Sequence, residues 1–442
     1  MSAKGQVLLV NPWIYDFAAH NLWSEPLGLL MIAAVLRDNG YEVTVLDCLA
    51  SHPGVPHSRA DGSGKFLKVQ LEKPEPVASV PRRFGRYGLP LAQFDSALSG
   101  VPVPDAVLVT SGMTYWYPGV VEAIRRVRTR FGPVPVAVGG VYATLCHGHA
   151  QHHAGADRAI AGPGVVAALE FVDGVTGHDS DPERYADPHS WPAPLHALVP
   201  RSFAGIVTSW GCPFRCTYCA SRRLQPTFIQ RKPSAVVDEI AECAERGIQD
   251  FAFYDDALLV GASCHIEPIL EGVLGRGLSV RLHAPNGLHA KEISPNLAVL
   301  MAQAGWVTVR LSLETVNSRR QRITGAKVTT KSFARAVSHL KAAGFEAGQM
   351  GAYILAGLPG QPLSETEATI RFVHRLGVQA KLALYSPIPG TLDGDGALPV
   401  NADPLLHNNT VYPYLLGADY VRDLQRIKLL AKEGNLALIR EA

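Results

Sequence analysis

The sequence predicts an α/β protein with two successive parallel-sheet domains. Short apolar runs alternate with amphipathic helical segments over residues 6–161, and a second alternation of the same kind begins at Ala204. Strands that alternate with helices favour parallel sheets, because each helix carries the chain back to the start of the next strand. Residues 166–203 are polar and rich in proline, which indicates a linker. A chain of 442 residues is long enough for two or three domains, each with its own core.

The first domain is predicted over residues 1–165 as a doubly wound sheet of the Rossmann type. Its strands are expected at 6–10, 41–47, 105–110, 134–138 and 157–161, and its main helices at 26–39 and 118–131. A long insertion at 51–101 exceeds the usual length of a loop in a compact domain. This insertion is expected either to lie across the sheet edge or to form a solvated lid.

Aromatic residues concentrate in the loops after the first and third predicted strands, at 11–16 and 111–118. Ligands of doubly wound sheets bind at the carboxyl ends of the strands. The two loops are therefore interpreted either as a floor for a flat or polar ligand or as a packing surface for the next domain.

The second domain is predicted over residues 204–391 as six strand–helix units, the pattern of a partial (β/α)6 barrel. Its strands are expected at 204–210, 250–254, 278–283, 307–313, 351–356 and 381–385. Residues 392–442 contain loops and one helix at 417–431, and they are expected to close the open side of the barrel. Active sites of such barrels lie at the carboxyl ends of the strands, so the polar residues there are the candidates for an active site.

Composition narrows the classes of function. The 41 basic and 39 acidic residues nearly balance, so the chain has no large excess of positive charge. Nucleic acid is therefore not an expected partner. No apolar run reaches the roughly 18 residues that a membrane span requires. Seven cysteines without a recognisable signal peptide predict a protein of the reducing cytoplasm.

Three cysteines, Cys212, Cys216 and Cys219, stand close together directly after the first strand of the second domain. A [4Fe-4S] cluster usually has four cysteine ligands, so three thiolates leave one iron with an open position. Zinc is the competing interpretation, but a zinc site needs a fourth ligand and no Cys or His follows before Cys243. The four remaining cysteines are isolated and are interpreted as packing residues.

The spacing C-x3-C-x2-C after a first strand resembles that of the radical S-adenosylmethionine (SAM) superfamily. The resemblance implies that the open iron binds SAM, which is cleaved to methionine and a 5′-deoxyadenosyl radical. It also implies a SAM site at the strand ends. Asp255 and Asp256 match residues that hold the methionine amino group, and Ser312 and Glu314 match residues that contact ribose and methionine. Tyr218 and the segment that contains Leu355 match positions beside adenine.

The first domain resembles the cobalamin-binding domains that precede many radical SAM barrels. The matching segments are 25–30, 40–47 and 139–144. The chain departs from that pattern because no Asp-x-His-x-x-Gly motif follows a strand, so no histidine for the lower face of cobalt is evident. The sequence therefore predicts the [4Fe-4S] cluster and SAM as cofactors, with cobalamin expected to be absent.

Three reactions remain open. Segments 113–119 and 141–146 resemble the aminoglycoside radical diol-dehydratases, which implies hydrogen abstraction from C4′ of an aminosugar such as paromamine and loss of the 3′-hydroxyl. An external electron donor and a separate NADPH-dependent dehydrogenase would then be partners. The alternatives are a cobalamin-dependent radical methyltransferase and a non-catalytic electron carrier. The candidates for acid–base catalysis are Asp16, Tyr117, Tyr218, His283 and His289.

Overall fold

The computed structural model describes residues 3–50 and 59–440. The chain divides into two compact units. The first unit contains Met1–Ser202 and Asp403–Leu406, and the second contains Phe203–Ala402 and His407–Ala442. Among the helices of the described ranges, none is both long and apolar enough to span a bilayer.

The first unit alternates strands and helices as predicted. Its strands are β1 (Gln6–Asn11), β2 (Ile14–Asp16), β3 (His20–Asn21), β4 (Glu42–Asp47), β5 (Gly64–Lys65), β6 (Lys68–Gln70), β7 (Gly85–Tyr87), β8 (Ala106–Val109), β9 (Val136–Val138) and β10 (Arg158–Ala159). Its helices are α1 (Leu27–Asp38), α2 (Leu91–Ser99), α3 (Tyr117–Phe131), α4 (Val141–Leu145), α5 (His147–His153) and α6 (Val165–Thr176).

The main sheet of the first unit has the strand order β10-β9-β8-β1-β4, and all of its pairs are parallel. Its central strand β1 is buried on both faces. Leu8 and Val10 pack into one hydrophobic cluster, and Val7 and Leu9 pack into the other. Successive side chains of a strand point to opposite faces, so a continuous apolar strand needs helices on both sides. This confirms the predicted doubly wound α/β fold.

One element of the first unit extends past its predicted boundary. Helix α6 lies inside the segment 166–203 that was predicted to be a linker. Its residues Val165, Leu169 and Val172 recur at helical spacing and are buried in the same cluster as β1. The polar composition of the residues that follow α6 concealed this face.

The described part of the predicted insertion is built into the first unit rather than lying over it as a lid. Strand β7 pairs with β2 and β6, and Phe94 of α2 packs edge-on against Trp13. The Trp13 indole N–H also donates to the carbonyl of Leu89 at 2.7 Å. The aromatic loop after β1 therefore packs on the insertion of its own unit. Residues 51–58 of the insertion lie outside the described residues.

The second unit contains the remaining elements. Its strands are β11 (Phe203–Ile206), β12 (Ser209–Trp210), β13 (Ile229–Gln230), β14 (Asp250–Phe253), β15 (Arg281–His283), β16 (Leu288–His289), β17 (Trp306–Glu314), β18 (Met350–Ala356) and β19 (Gln379–Leu384). Its helices are α7 (Ser221–Leu224), α8 (Pro233–Glu245), α9 (Ile266–Gly275), α10 (Pro295–Gln303), α11 (Ser318–Ile323), α12 (Thr330–Ala342), α13 (Leu363–Arg375), α14 (Tyr412–Leu415) and α15 (Ala418–Arg440).

Six parallel strands form the sheet of the second unit in the order β11-β14-β15-β17-β18-β19, with β16 beside β17. Sequential strands are therefore neighbours, as in a barrel opened on one side. The strands Phe203–Ile206 and Asp250–Phe253 are buried throughout. All six carboxyl ends meet at one edge of this sheet, where polar residues of distant sequence segments come together.

The C-terminal helix α15 covers the last strand of this sheet. Ile427 and Ala431 are buried in the main core of the unit. The Asn435 side chain accepts from the N–H of Ala380 at 2.7 Å and donates to its carbonyl at 2.9 Å. A side-chain amide thus satisfies a backbone pair on the outer edge of β19, which would otherwise be an open strand edge.

Replacing Asn435 with alanine should destabilise the second unit by about 1–3 kcal/mol, because both backbone groups of Ala380 lose their partner. The denaturant midpoint, followed by circular dichroism, measures this loss. Lys432→Ala on an exposed position of the same helix is the matched control. Equal midpoints for the two variants would show that water replaces the amide without cost.

Candidate active site

The three motif cysteines lie on one loop between β12 and α7 of the second unit. Strand β12 pairs antiparallel with β13, and this two-residue ladder closes the base of the segment that contains the loop. Gly211 begins the loop at φ +74°, and a Cβ there would lie 2.5 Å from the carbonyl oxygen of Thr227. Only glycine fits this conformation and this close approach. The Cys219 N–H donates to the Cys216 carbonyl at 3.1 Å and forms a turn that draws these two cysteines together.

The protonation of the three cysteines and their arrangement bear on the kind of metal centre that they can bind. Burial raises the pKa of Cys212 to about 11 and also raises the pKa of Cys216, whereas the nearby Lys327 ammonium opposes the shift at Cys216. Thiolates bind iron, so cluster assembly releases these protons. Among the described residues, no three His, Cys, Asp or Glu groups converge on a single ion. A [4Fe-4S] cluster does not require such convergence on a single ion, because each thiolate binds its own iron.

A cavity of about 360 Å³ opens beside the loop. Its wall contains the three cysteines and polar residues from four strand ends. The lining residues are Cys212, Cys216, Tyr218, Cys219, Ser221, Asp256, Pro285, Asn286, Gly287, His289, Ser312, Lys327, Tyr353 and Ala383. The cavity has the size of a small-molecule site. The structure therefore brings Tyr218, Asp256, His289 and Ser312 of the predicted set together with the cysteines.

Asp255 and Asp256 have different surroundings, although both were predicted to hold an ammonium group. Asp255 is buried and accepts hydrogen bonds from the Thr208 N–H at 3.0 Å, the Thr208 hydroxyl at 2.7 Å and the Ser209 hydroxyl at 2.6 Å. Its carboxylate thus anchors the strand end that leads into the cysteine loop. Asp256 is exposed into the cavity and is the acidic group available to a ligand.

Lys327 is a site residue that the sequence analysis missed. Its ammonium lies 2.8 Å from the Glu314 carboxylate, and it lines the cavity beside Cys216. Burial alone would lower the pKa of Lys327, but Glu314 and the neighbouring thiols raise it, so the side chain is a cation. No periodic pattern marks this residue, because it lies in a loop after the short helix α11.

Glu314 itself ends β17 with a left-handed backbone, φ +62°, at a shift in register against β18. A left-handed conformation at a residue with a side chain is uncommon and is found at functional sites. The carboxylate is paired with Lys327 rather than lining the cavity directly. In this structure the Glu314 carboxylate forms an ion pair with Lys327, and its predicted contact with SAM stays a prediction.

Loops from two strand ends hold the opposite wall of the cavity. The Asn286 amide donates to the Tyr254 carbonyl at 3.0 Å, and the Tyr353 hydroxyl donates to the Pro285 carbonyl at 2.5 Å. A Cβ at Gly287 would lie 2.2 Å from the hydroxyl oxygen of Ser312. The absence of a side chain at Gly287 thus leaves the Ser312 hydroxyl accessible from the cavity.

His283 and His289 are both predicted as catalytic candidates, but only His289 lines the cavity. His283 is buried, and its two ring nitrogens lie 3.0 Å from Asp250 and 3.0 Å from the hydroxyl of Thr308. It is absent from the wall of the cavity and ties neighbouring strands together. Both ring nitrogens of His283 therefore have partners within the sheet, and its predicted catalytic role stays a prediction.

His289 lines the cavity and stacks on Phe214 of the cysteine loop, with ring centroids 4.5 Å apart. Its Nδ1 is buried, and no hydrogen-bond partner for it is found among residues 3–50 and 59–440. Burial, together with Lys327 and Lys291, lowers the pKa of His289 to about 3. The ring is therefore neutral at neutral pH and cannot serve as an imidazolium acid. Burial also holds the pKa of Tyr218 well above its usual value, so Tyr218 remains a neutral phenol.

The other two catalytic candidates belong to the first unit. Asp16 is buried and accepts from the Trp116 indole at 2.7 Å and from the Phe17 N–H at 2.6 Å. Tyr117 donates to Asp403 at 3.1 Å and stacks on Tyr142. Burial raises the pKa of the Tyr117 phenol, and Asp403 raises it further. These contacts lie within the first unit, and they engage both oxygens of the Asp16 carboxylate.

The predicted adenine segment follows β18. The Gln361 side chain accepts from the Gly357 and Leu358 N–H groups and donates to the Leu355 carbonyl at 3.1 Å. Leu355 packs near Tyr218 in one apolar cluster. The segment is thus a pre-formed apolar surface beside the cysteine loop, which suits a flat heterocycle.

Gly325→Ala is expected to reduce iron incorporation by the loop. Gly325 has φ +122°, and a Cβ there would lie 3.1 Å from Cα and 3.2 Å from N of Cys216. These are backbone atoms that cannot move aside cheaply, so we expect a cost of about 1–3 kcal/mol. Iron per protein and visible absorbance after anaerobic reconstitution measure the effect. Gly348→Ala, which meets no atom within 4 Å, is the control, and equal iron content in both variants would contradict the prediction.

Residues 206–373 match the sequence model of the Radical SAM superfamily. The second unit therefore contains a radical SAM domain, the class in which a [4Fe-4S] cluster and SAM act together. Over 215 residues the chain is 27% identical to an uncharacterized methyltransferase of Pyrococcus horikoshii, and the match covers 45% of each protein. It is 23% identical to the cytidylyl-2-hydroxyethylphosphonate methyltransferase of Streptomyces wedmorensis, over 87% of this chain and 80% of that protein.

Two solved structures share the fold. The methyltransferase TsrM from Kitasatospora setae, solved with tryptophan and a SAM analogue, has a TM-score of 0.65 at 18% identity, over 89% of this chain and 75% of TsrM. OxsB with aqua-cobalamin has a TM-score of 0.57 at 11% identity, over 95% of this chain and 56% of OxsB. These findings favour the methyltransferase alternative over the aminosugar dehydratase, which they do not support.

Proposed function

We propose that this chain is a radical SAM methyltransferase that uses a [4Fe-4S] cluster and cobalamin. The observation that carries the proposal is the match to the Streptomyces methyltransferase, which extends over 87% of the chain and so is not confined to the radical SAM domain. The folds of TsrM and OxsB, both solved with cobalamin, support the same assignment. The substrate is expected to be a small molecule.

Three side chains would hold the cluster, and the cavity walls would hold SAM. Cys212, Cys216 and Cys219 would hold the cluster through their thiolates, and the cluster, when bound, would supply the single electron that cleaves SAM. Asp256 is placed to accept from the methionine ammonium, because it is the acidic side chain on the cavity wall. The Lys327 cation is placed to bind the methionine carboxylate.

The remaining polar groups orient the nucleoside. The Ser312 hydroxyl faces the cavity beside Gly287, where a ribose hydroxyl can donate to it. The apolar surface around Leu355 and Tyr218 excludes water from the adenine. His289 lines the cavity, and we propose that its ring packs against a substrate held near the cluster.

The carboxyl edge of the first unit suits a flat macrocycle rich in amide groups. Tyr117 and Tyr142 stack at 5.6 Å, and the ring of His149 packs against both. The Nδ1 of His149 lies 2.6 Å from the Tyr142 hydroxyl, which sets the orientation of this ring. Bound cobalamin would supply the carrier of the methyl group. We propose that Tyr117 and His149 contact it, and that the buried Tyr142 supports both rings from the core side.

Anaerobic reconstitution with and without cobalamin tests this function. The expected result is nearly stoichiometric retention of the corrin, and conversion of SAM to S-adenosylhomocysteine when reductant and a methyl acceptor are present. Tyr142→Ala should lose the corrin while keeping the iron–sulfur absorbance, and Tyr185→Ala, a buried tyrosine elsewhere in the first unit, controls for loss of folding. A protein that retains no corrin but releases water from an aminosugar would favour the dehydratase instead.

A further inference from the structure

Two cations, Arg310 and Lys381, lie on the inward face of the parallel sheet in the second unit. Val309, next to Arg310, and Ala380, next to Lys381, pack into the hydrophobic core under the helices. Successive side chains of a strand point to opposite faces, so Arg310 and Lys381 point away from this core. Arg310 shares its face with Ser312, which lines the cavity. We name Arg310 and Lys381 the cationic floor.

The strand register places the cationic floor beside and below the wall of the cavity. Tyr353 pairs with Ser312 on one side and with Lys381 on the other, and both Tyr353 and Ser312 line the cavity. Arg310 pairs with Gly351, two residues nearer to the start of these strands. Arg310, Tyr353 and Lys381 are half-buried, so they border space inside the barrel that is open to solvent.

Gly351 allows the two side chains of the floor to approach each other. A Cβ at this glycine would lie 3.1 Å from Cδ of Arg310, 3.0 Å from Cγ of Lys381 and 3.1 Å from its Cε. Both aliphatic stems therefore pack over the backbone of Gly351, which brings two cationic side chains together. Like charges at one place repel each other, and an anion bound between them would convert that repulsion into attraction.

The carboxylates on the same face of the sheet are neutralised by other cations. Asp250, which ends next to the start of β14, forms an ion pair with Arg281. Glu314, at the end of β17, forms an ion pair with Lys327. Among residues 3–50 and 59–440, no carboxylate pairs with Arg310. Burying a cation without a counter-ion is costly, which points to an anion supplied by a ligand.

The guanidinium of Arg310 has donors to spare for such an anion. Its Nη1 donates to the backbone carbonyls of Val309 at 3.2 Å and Gln349 at 3.1 Å. The Gln349 carbonyl already accepts from the Val309 N–H at 3.0 Å, so the sheet is paired without the guanidinium. Nε and Nη2 donate to no residue of the described ranges. An adjacent pair of N–H donors on a planar cation fits the oxygens of a carboxylate or a phosphoryl group.

We propose that the cationic floor binds an anionic group of the methyl acceptor, a carboxylate or phosphoryl oxyanion. This inference rests on the proposed function and names the class of its substrate. Charge-assisted hydrogen bonds from Arg310 and Lys381 would hold one end of the acceptor and so orient its other end in the cavity. The floor positions the substrate, and no bond is made or broken there.

The test measures the binding of small anions to the full chain without SAM. Ethylphosphonate, propionate and the neutral propionamide are titrated at constant ionic strength, and each affinity is taken from the rise in the thermal midpoint. The wild type should bind the two anions and not the amide. Arg310→Met should bind the anions roughly tenfold or more weakly, and Lys381→Gln roughly threefold, because charge-assisted hydrogen bonds are lost. Arg375→Met, at an exposed arginine that ends α13, should match the wild type.

The denaturant midpoint without added anion separates ligand binding from a structural role. Arg310→Met should unfold at a midpoint equal to or above that of the wild type, because it removes a charge that has no carboxylate partner. A lower midpoint with unchanged anion affinity would assign Arg310 a structural role and overturn the inference. Equal anion affinity in Arg310→Met and the wild type, or equal binding of propionamide, would also overturn it.

The anion titration requires neither the cluster nor the corrin. A protein that binds ethylphosphonate through Arg310 but retains no corrin would therefore contradict the proposed function and keep the anion site. A protein that retains the corrin and methylates an acceptor, but has no anion affinity that depends on Arg310, would contradict the anion site alone. The two failures are thus distinguishable.

Discussion

Alanine at Cys216 is expected to remove the iron–sulfur absorbance and to lower SAM cleavage by more than roughly 100-fold, since even residues that only support metal ligands cost 10- to 100-fold when replaced. The same loss is expected for Cys212→Ala and Cys219→Ala. All three side chains line one cavity, and each is expected to bind a separate iron. Two thiolates that remain cannot hold the cluster in its redox-competent form.

The matched control is Cys264→Ala. Cys264 is an exposed free cysteine of the same unit and is absent from the cavity wall. It should keep full absorbance and full production of 5′-deoxyadenosine, measured by chromatography after anaerobic reconstitution. If any one of the three loop variants cleaved SAM at the rate of the control, the assignment of the cluster ligands would be wrong.

Lys327→Met should produce the second large effect, weakening SAM binding by roughly 10- to 100-fold, because a charge-assisted hydrogen bond to the carboxylate is lost. The same change leaves Glu314 without its partner at 2.8 Å. Removing one member of a buried ion pair is destabilising by about 3 kcal/mol. The affinity for SAM, measured by calorimetry, and the denaturant midpoint report the two consequences separately.

A second substitution separates binding from stability. In Lys327→Met/Glu314→Gln the buried charge is gone, so the denaturant midpoint should return toward the wild type while SAM binding stays weak. Lys291→Met is the matched control, because Lys291 is a more exposed lysine that lies over the Phe214 ring of the same loop. Recovery of SAM affinity in the double variant would show that Lys327 acts only through Glu314.

Much of the site was predictable because its residues follow strands. The apolar periodicity predicts the ends of β14 and β17, and so it predicts that Asp255, Asp256, Ser312 and Glu314 lie at one edge of the sheet. What periodicity could not decide was the direction of each side chain. Asp255 turns back to the strand end at Thr208, and His283 turns into the sheet, where each finds hydrogen-bond partners from distant segments.

The sequence by itself determined the parallel α/β class, the position of the cysteine loop and the six strand–helix units, because these depend on local spacing of apolar and turn residues. Only the tertiary structure placed Lys327 beside Glu314, separated Asp255 from Asp256, distinguished His283 from His289 and showed that α6 belongs to the first unit. Those distinctions depend on burial and on partners far apart in the chain. Such contacts form only when the packed core brings the strand ends together, and no local pattern encodes them.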